Sequence, residues 1–174
     1  MQPWQSVGVD DAAVQDGPTV AVRAYAPADA PGTLDLFLAA VTETASADYT
    51  AEQIDAWADR EGRDLGRWDA AMRARGAFVA EIGGELAGFS DVGPEGYVDM
   101  MFVAPRFLRR GVARTLIAQG EELARGRGVR ELSADVSITA RPFFESQGFA
   151  VEAQQAPVRR GVTLTNLRMR KPLT

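Results

Sequence analysis

The chain contains no cysteine and no histidine. The first absence rules out disulfides and thiolate nucleophiles. The second removes Ser-His-Asp and Cys-His triads, and together they remove the usual Cys/His zinc sites. Acid–base work then falls to Asp, Glu, Tyr, Lys, Arg, a chain terminus or ordered water, which favours direct transfer between bound reactants over covalent catalysis. No metal is expected. Long apolar runs are also missing: Val98 to Ala104 falls well short of the roughly 18 consecutive apolar residues of a membrane helix, so no membrane association is expected. Residues 1–17 carry Asp10, Asp11 and Asp16 but no Lys or Arg, unlike the basic, apolar start of a signal peptide. A cytoplasmic location is the expectation, with residues 1–17 as a flexible tail.

What is present suits a globular protein. With 174 residues, 46% hydrophobic and 25% charged, the chain has the length and apolar content for one core, and residues 18–174 are expected to form a single domain. The net charge of −5 is unevenly placed: residues 1–99 hold 6 basic and 18 acidic side chains, and residues 100–174 hold 13 and 6. Such a split fits an anionic ligand on the second half and a cationic one on the first, or equally two solvated faces. The negative total argues against nucleic acid as a partner.

The hydrophobic pattern mixes strands and helices without an internal repeat. Thr19 to Tyr25 alternates as a strand, and Asp29 is placed to cap a helix with Leu34, Phe37, Leu38 and Val41 on one stripe. Thr50 and Gln53 form a capping-box pair, with Tyr49 and Ile54 as a staple. Another helix spans Leu65 to Arg75. Gly83-Gly84 separates two strands at the spacing of a tight hairpin. Tyr97 to Ala104 reads as one continuous strand, followed by a helix that buries Val112, Ala113, Leu116, Ile117, Leu123 and Ala124. Glu131 to Ser137 is strand-like, Thr139 is placed to cap a short helix ending at Gly148, and two further strands are expected at Val151 to Gln155 and Thr163 to Met169.

The sharpest chemistry lies in Met101 to Arg114, where a strand ends, a basic loop turns and a helix begins at Gly111. Unpaired N–H groups and the helix dipole favour phosphate at such a point. No Gly-Lys-Ser/Thr follows, so this is no Walker loop, and Gly111-Val112-Ala113 is no dinucleotide fingerprint. Val103-x-Pro105 with Leu108-Arg109-Arg110-Gly111-Val112-Ala113 resembles the acyl-CoA signature of the GNAT superfamily of N-acetyltransferases. Thr139 to Phe149 resembles the short helix and Gly-Phe step that follow that family's fifth strand. Ala45-Ser46, Tyr49, Gln53-Ile54, Ala56-Trp57-Ala58, Tyr97-x-Asp99-Met100 and Arg160-Gly161 before Asn166 narrow the likeness to the YafP-like bacterial branch. The resemblance covers about residues 19–173.

The resemblance implies an α/β fold with a mixed, mainly antiparallel sheet, helices on both faces, and a splay between the strands at 97–104 and 131–137. It implies acetyl-CoA as acyl donor, CoA as product, and a primary amine, of a small molecule, as acceptor in a ternary complex. A protein N-terminus or lysine as acceptor, and a silent acyl-CoA-binding module, are the alternatives, and a homodimer is open. The backbone of Met101, Phe102 and Val103 is implied to face the pantetheine, and Arg109, Arg110, Gly111, Val112, Ala113 and Arg114 the pyrophosphate. Ser137 stands where relatives often have a cofactor-contacting Asn.

Two departures stand out. Leu108 occupies the usual Gln or Arg position, and Phe144 replaces the Tyr that protonates the departing thiolate. One of Phe143 and Phe144 should be core and the other border the cofactor, with Phe144 taken as the cofactor contact. Tyr49 or Tyr97, or a water, is left to supply the proton, or the thiolate leaves unprotonated. On a continuous strand Tyr97, Asp99, Met101 and Val103 would share one face, which places the Asp99 carboxylate where it can anchor an amine or take its proton. Backbone satisfaction at a strand start is the competing role for Asp99, sheet cover for Tyr97 and the staple for Tyr49. Trp57 reads as cleft wall, and Arg159-Arg160 as a solvated turn or a contact for an acidic acceptor.

Overall fold

Residues 19–174 are described by the structure, a computed structural model; the flexible tail expected over 1–17 lies outside them. Strand β1 (Val20–Ala24) is followed by helices α1 (Ala30–Ala39), α2 (Ala51–Ala58) and α3 (Leu65–Ala74). The hairpin β2 (Phe78–Ile82) and β3 (Glu85–Ser90) turns at Gly83-Gly84. Next come β4 (Tyr97–Val98), β5 (Met101–Val103), α4 (Val112–Gly126), β6 (Glu131–Ser137), α5 (Arg141–Ser146) and β7 (Ala150–Gln155). The small hairpin β8 (Val158–Arg159) and β9 (Val162–Thr163) precedes β10 (Asn166–Pro172).

The strands form two four-stranded sheets, ordered β1-β2-β3-β5 and β4-β6-β10-β7. The pairings are antiparallel except β4 with β6, which run parallel through Tyr97↔Ser133 and Val98↔Ala134. The run expected as one strand from 97 to 104 is therefore divided. Its first part joins β6, and its second part joins β3 through Phe89↔Phe102. The two sheets separate between β5 and the far end of β6, which is the expected splay.

A buried carboxylate makes this break affordable. At the break the Asp99 and Met100 N–H groups lie outside both ladders, and Asp91 Oδ1 accepts from them at 2.9 and 3.4 Å. Asp91 is 1% exposed and its Oδ2 accepts from Arg75 Nε at 2.9 Å. Burial pushes the Asp91 carboxyl up despite the Asp99 N–H and Arg75. A buried ion pair of this kind is strongly destabilising to break, by about 3–5 kcal/mol when one partner is removed.

Helices cover both faces of the first sheet. Val112 and Leu116 of α4 pack where Gly88 of β3 leaves room, since a Cβ there would lie 2.8 Å from Val112 Cγ1 and 2.9 Å from the Phe102 carbonyl. On the other face Phe89 and Phe102 meet Phe37 of α1 and Trp68 of α3, with centroid separations of 5.0 to 6.0 Å. The capping box of α2 is formed in both directions, Gln53 N–H to Thr50 Oγ1 and Thr50 N–H to Gln53 Oε1.

Three local expectations are corrected. Asp29 does not cap α1 with its side chain but accepts from Arg23 and from the Ala26 N–H. The fully buried stripe of α1 and the π-helical turn after it is Thr33, Leu36, Phe37, Ala40 and Val41, with Leu34 and Leu38 only partly covered. Ala140, not Thr139, occupies the N-cap of α5, and Thr139 Oγ1 is buried without a partner.

Candidate active site

A cleft of about 810 Å³ opens on the α1–α3 face, beside the splay, with Phe37, Trp57, Tyr97, Asp99 and Phe102 among its lining. Tyr97, Asp99, Met100 and Phe102 line it, and Met101 and Val103 do not. The shared face expected for 97, 99, 101 and 103 is thus corrected: the break shifts the alternation by one residue. Phe102 then faces the aromatic floor, where its ring lies 5.0 Å from Phe37 and 6.3 Å from Trp57.

The backbone follows the opposite pattern. Asp91 N–H bonds to Met100 O at 3.2 Å and Ala104 N–H to Ala87 O at 2.9 Å. With the register Phe89↔Phe102, antiparallel alternation directs the Phe102 N–H and C=O to β3, and those of Met101 and Val103 into the splay. Of the three residues expected to offer backbone groups there, Phe102 has its own committed to the sheet.

At the far end of β5 the chain passes a 3₁₀ turn (Pro105–Phe107) and reaches α4 through Arg109 and Gly111, both left-handed with φ of 62° and 83°. The N–H groups of Arg109 to Arg114 have no acceptor among the described residues, whereas Thr115 N–H bonds to Gly111 O. Unpaired N–H groups at a helix start favour a negative charge there. Arg109, Arg110, Gly111 and Arg114 are exposed. Arg110 lies over the Phe107 ring at 5.3 Å, and Leu108, at the usual Gln or Arg position, is 42% exposed. The diphosphate of a nucleotide thiol ester fits these donors, and its pantetheine arm fits the two free backbone positions in the splay.

The titratable groups divide by partner. Asp99 is half-exposed and pairs with Arg75 Nη1 at 3.3 Å, and the same guanidinium holds Asp91. Tyr97 donates its hydroxyl to Asp135 Oδ2 at 3.2 Å. Burial, then the Asp135 and Asp99 charges, push its pKa up to about 12. Burial works against ionisation of Asp135 too, yet hydrogen bonds from Arg168 and Gln155 hold its carboxyl below the usual range. Tyr49 is buried and its hydroxyl is fully engaged, donating to Thr165 O at 2.6 Å and accepting from Ile138 N–H at 2.9 Å. It pins α2 to the ends of β6 and β10.

Ser137 lines the cleft, but its hydroxyl accepts from Ala140 N–H at 3.1 Å and so fastens the turn into α5. Phe144, taken as a cofactor contact, is core instead: it is 4% exposed and packs edge-on against Phe149 at 5.0 Å. Phe143 is the half-buried member of the pair. Sequence reasoning passed over Asp91, Arg75, Asp135 and Arg63. An Asp just after a strand, an Asp within a strand and arginines just past helix ends carry no pattern that marks them as convergent. The charge split does not map onto two subsites either, because Arg63, Arg67 and Arg75 from the acidic half line this cleft.

Among the described residues no helix is long and apolar enough to cross a membrane. Comparison with known proteins agrees with the geometry. The family model described as an acetyltransferase (GNAT) domain matches residues 45–171, more than half of the chain. The uncharacterized N-acetyltransferase YafP of Escherichia coli K12 is 40% identical over 152 residues, covering 87% of this chain and 95% of that protein. A crystal structure from Rhodopseudomonas palustris, described as a GCN5-related N-acetyltransferase, superposes with a TM-score of 0.85 at 32% identity, over 94% of this chain and 100% of that one. The putative acetyltransferase YncA of Salmonella typhimurium, solved with acetyl-CoA, shares the fold at a TM-score of 0.69 and 23% identity, covering 89% and 94%. The family model over more than half of the chain and the 40% identity to YafP, together with the parallel β4–β6 pair and the splay between β5 and β6, assign the chain to the GNAT family of acetyltransferases.

Proposed function

We propose that the protein transfers an acetyl group from acetyl-CoA to the primary amine of a small molecule by direct attack in a ternary complex. The observation that carries this reading is the juxtaposition at β4 and β5: backbone groups of Met101 and Val103 open into the splay, while Asp99, Met100 and Phe102 open into the cleft. Acetyl-CoA, when bound, supplies the activated acyl carbon. The chain holds its diphosphate on the N–H groups of residues 109–114 and its arm on the N–H and C=O groups of Met101 and Val103. Fixed backbone donors aimed at the developing oxyanion, and the holding of two reactants together, supply most of the rate advantage.

Asp99 anchors the amine and takes its proton, directly or through water, with Arg75 keeping the carboxylate in place. Tyr97, held protonated well above neutral pH, is the better placed phenol for returning a proton. Tyr49 has both its hydrogen-bonding roles filled by the backbone. An aromatic lining of Trp57 and Phe102, backed by the buried Phe37, suits a compact acceptor more than an extended polypeptide.

Thiol release from acetyl-CoA, measured with a panel of primary amines and with lysine- and N-terminal peptides, tests the reading. Amine-dependent release that exceeds release with peptides is expected. Release with peptides alone would reassign the acceptor, and tight acetyl-CoA binding without release by any amine would reduce the protein to a binding module.

A further inference from the structure

Arg63 is set differently from the other guanidiniums around the cleft. It is half-buried, its Nε donates to Ala58 O at 3.1 Å and its Nη2 to Trp57 O at 3.0 Å, and its plane lies 4.6 Å from the Phe37 ring centroid. These contacts hold the fork and leave both Nη1 N–H groups and one Nη2 N–H without an acceptor among the described residues. Arg75, Arg160 and Arg168 are ion-paired, to Asp91 and Asp99, to Asp59 and to Asp135. Arg63, its neighbour Arg159 and Arg67 line the cleft with no carboxylate within ion-pair distance among the described residues, and of the three only Arg63 is half-buried. Burial pulls the Arg63 pKa down, Asp59 opposes this, and the Arg159 charge pulls it down further. A desolvated cation beside a second cation is an unfavourable arrangement that an anion would relieve.

Elsewhere in the lining the sign is reversed, since the single Arg75 charge is shared between Asp91 and Asp99. The buried Phe37 ring, 4.6 Å from the Arg63 guanidinium, packs against Phe102, three residues from Asp99, and Phe102 with Trp57 lines the cleft. We propose that Arg63, with Arg159, binds a carboxylate on the acyl acceptor, which is therefore a compact molecule with an amine at one end, a carboxylate at the other and an apolar body between. This rests on the cleft being the acceptor site. A planar guanidinium with an N–H free on each Nη matches the two oxygens of a carboxylate, and the aromatic lining of Trp57 and Phe102 matches a body of about one ring.

Two measurements separate this proposal from the acetyl-transfer reading. The first compares kcat/KM for 4-(aminomethyl)benzoate and benzylamine. The carboxylate compound should be better by about tenfold or more, the scale of a charge-assisted hydrogen bond. In Arg63→Gln that ratio should fall toward one, and Arg159→Ala, a change at an exposed position, should lower it in part. The second is calorimetric titration of 4-methylbenzoate, which has no amine and cannot react, into the CoA-loaded protein. Binding weakened about tenfold by Arg63→Gln, in a variant that melts like the parent, is the expected result. Absent thiol release with both amines would defeat acetyl transfer to such compounds, while the 4-methylbenzoate titration would still decide the carboxylate site. No binding of 4-methylbenzoate, or equal binding to the parent, Arg63→Gln and Arg159→Ala, would overturn the proposal.

Discussion

The side chains at the break in the central strand divide one task among three carboxylates. Asp91 satisfies the backbone, Asp135 holds the Tyr97 hydroxyl, and Asp99 alone keeps a half-exposed face toward the cleft. Asp99→Asn separates its candidate roles because the amide keeps the shape. As base or orienting group for the amine, Asp99 predicts a fall in kcat of roughly 10²-fold with acetyl-CoA binding retained. As a mere anchor for a cationic acceptor it predicts a rise in KM, and as a structural carboxylate a lower melting temperature. Tyr49→Phe is expected to act through stability. It leaves the Ile138 N–H and Thr165 carbonyl unpaired, at a cost of about 1–3 kcal/mol, read by denaturant unfolding. A loss of turnover larger than the loss of folded protein would instead place its hydroxyl in the reaction.

At the scale of elements, the start of α4 is set by backbone conformation more than by packing. Gly111 has φ of 83° and a Cβ there would meet nothing within 4 Å. Gly111→Val is therefore expected to strain the turn by about 1–3 kcal/mol, redirect the N–H groups of 109–114 and weaken acetyl-CoA binding by about tenfold or more in a protein that still folds. Calorimetry on the variant checks this, and unchanged affinity would remove the site.

Elements determined by neighbouring residues were legible in the sequence. The Thr50–Gln53 capping box, the Gly83-Gly84 hairpin and the helix at Val112 all depend on contacts a few positions apart. The break at Asp99 was not, because its cause is the Asp91 carboxylate from beyond β3, and a single Asp in an otherwise apolar run fits a continuous strand equally well. The β8–β9 hairpin was missed for a related reason: two exposed two-residue strands bury too little to leave a pattern. Asp29 and Thr139 look like caps by residue type, yet Arg23 and the turn at Ser137 decide otherwise.

Across the whole molecule, the phenols report on folding at high pH. All three tyrosines, Tyr25, Tyr49 and Tyr97, have pKa values raised chiefly by burial. A raised pKa favours the protonated form in the fold. Their contribution to stability is thus full below the unfolded value of about 10 and is lost as pH rises through the folded values. Tyrosinate absorbance should stay low at pH values where free tyrosine is half-ionised, then appear together with loss of structure. A fully folded protein with ordinary tyrosine titration would contradict the burial of these rings.

The claim that joins sheet, loop and cleft is that acetyl-CoA lies along the splay and over the start of α4. Amide hydrogen exchange with and without acetyl-CoA tests it most directly. The account predicts new protection at residues 109–114 and at Met101 and Val103, with little change at Phe102, whose N–H is already committed to β3. Unchanged exchange at 101, 103 and 109–114 under saturating acetyl-CoA, or protection confined to the cleft residues of α2 and α3, would contradict it.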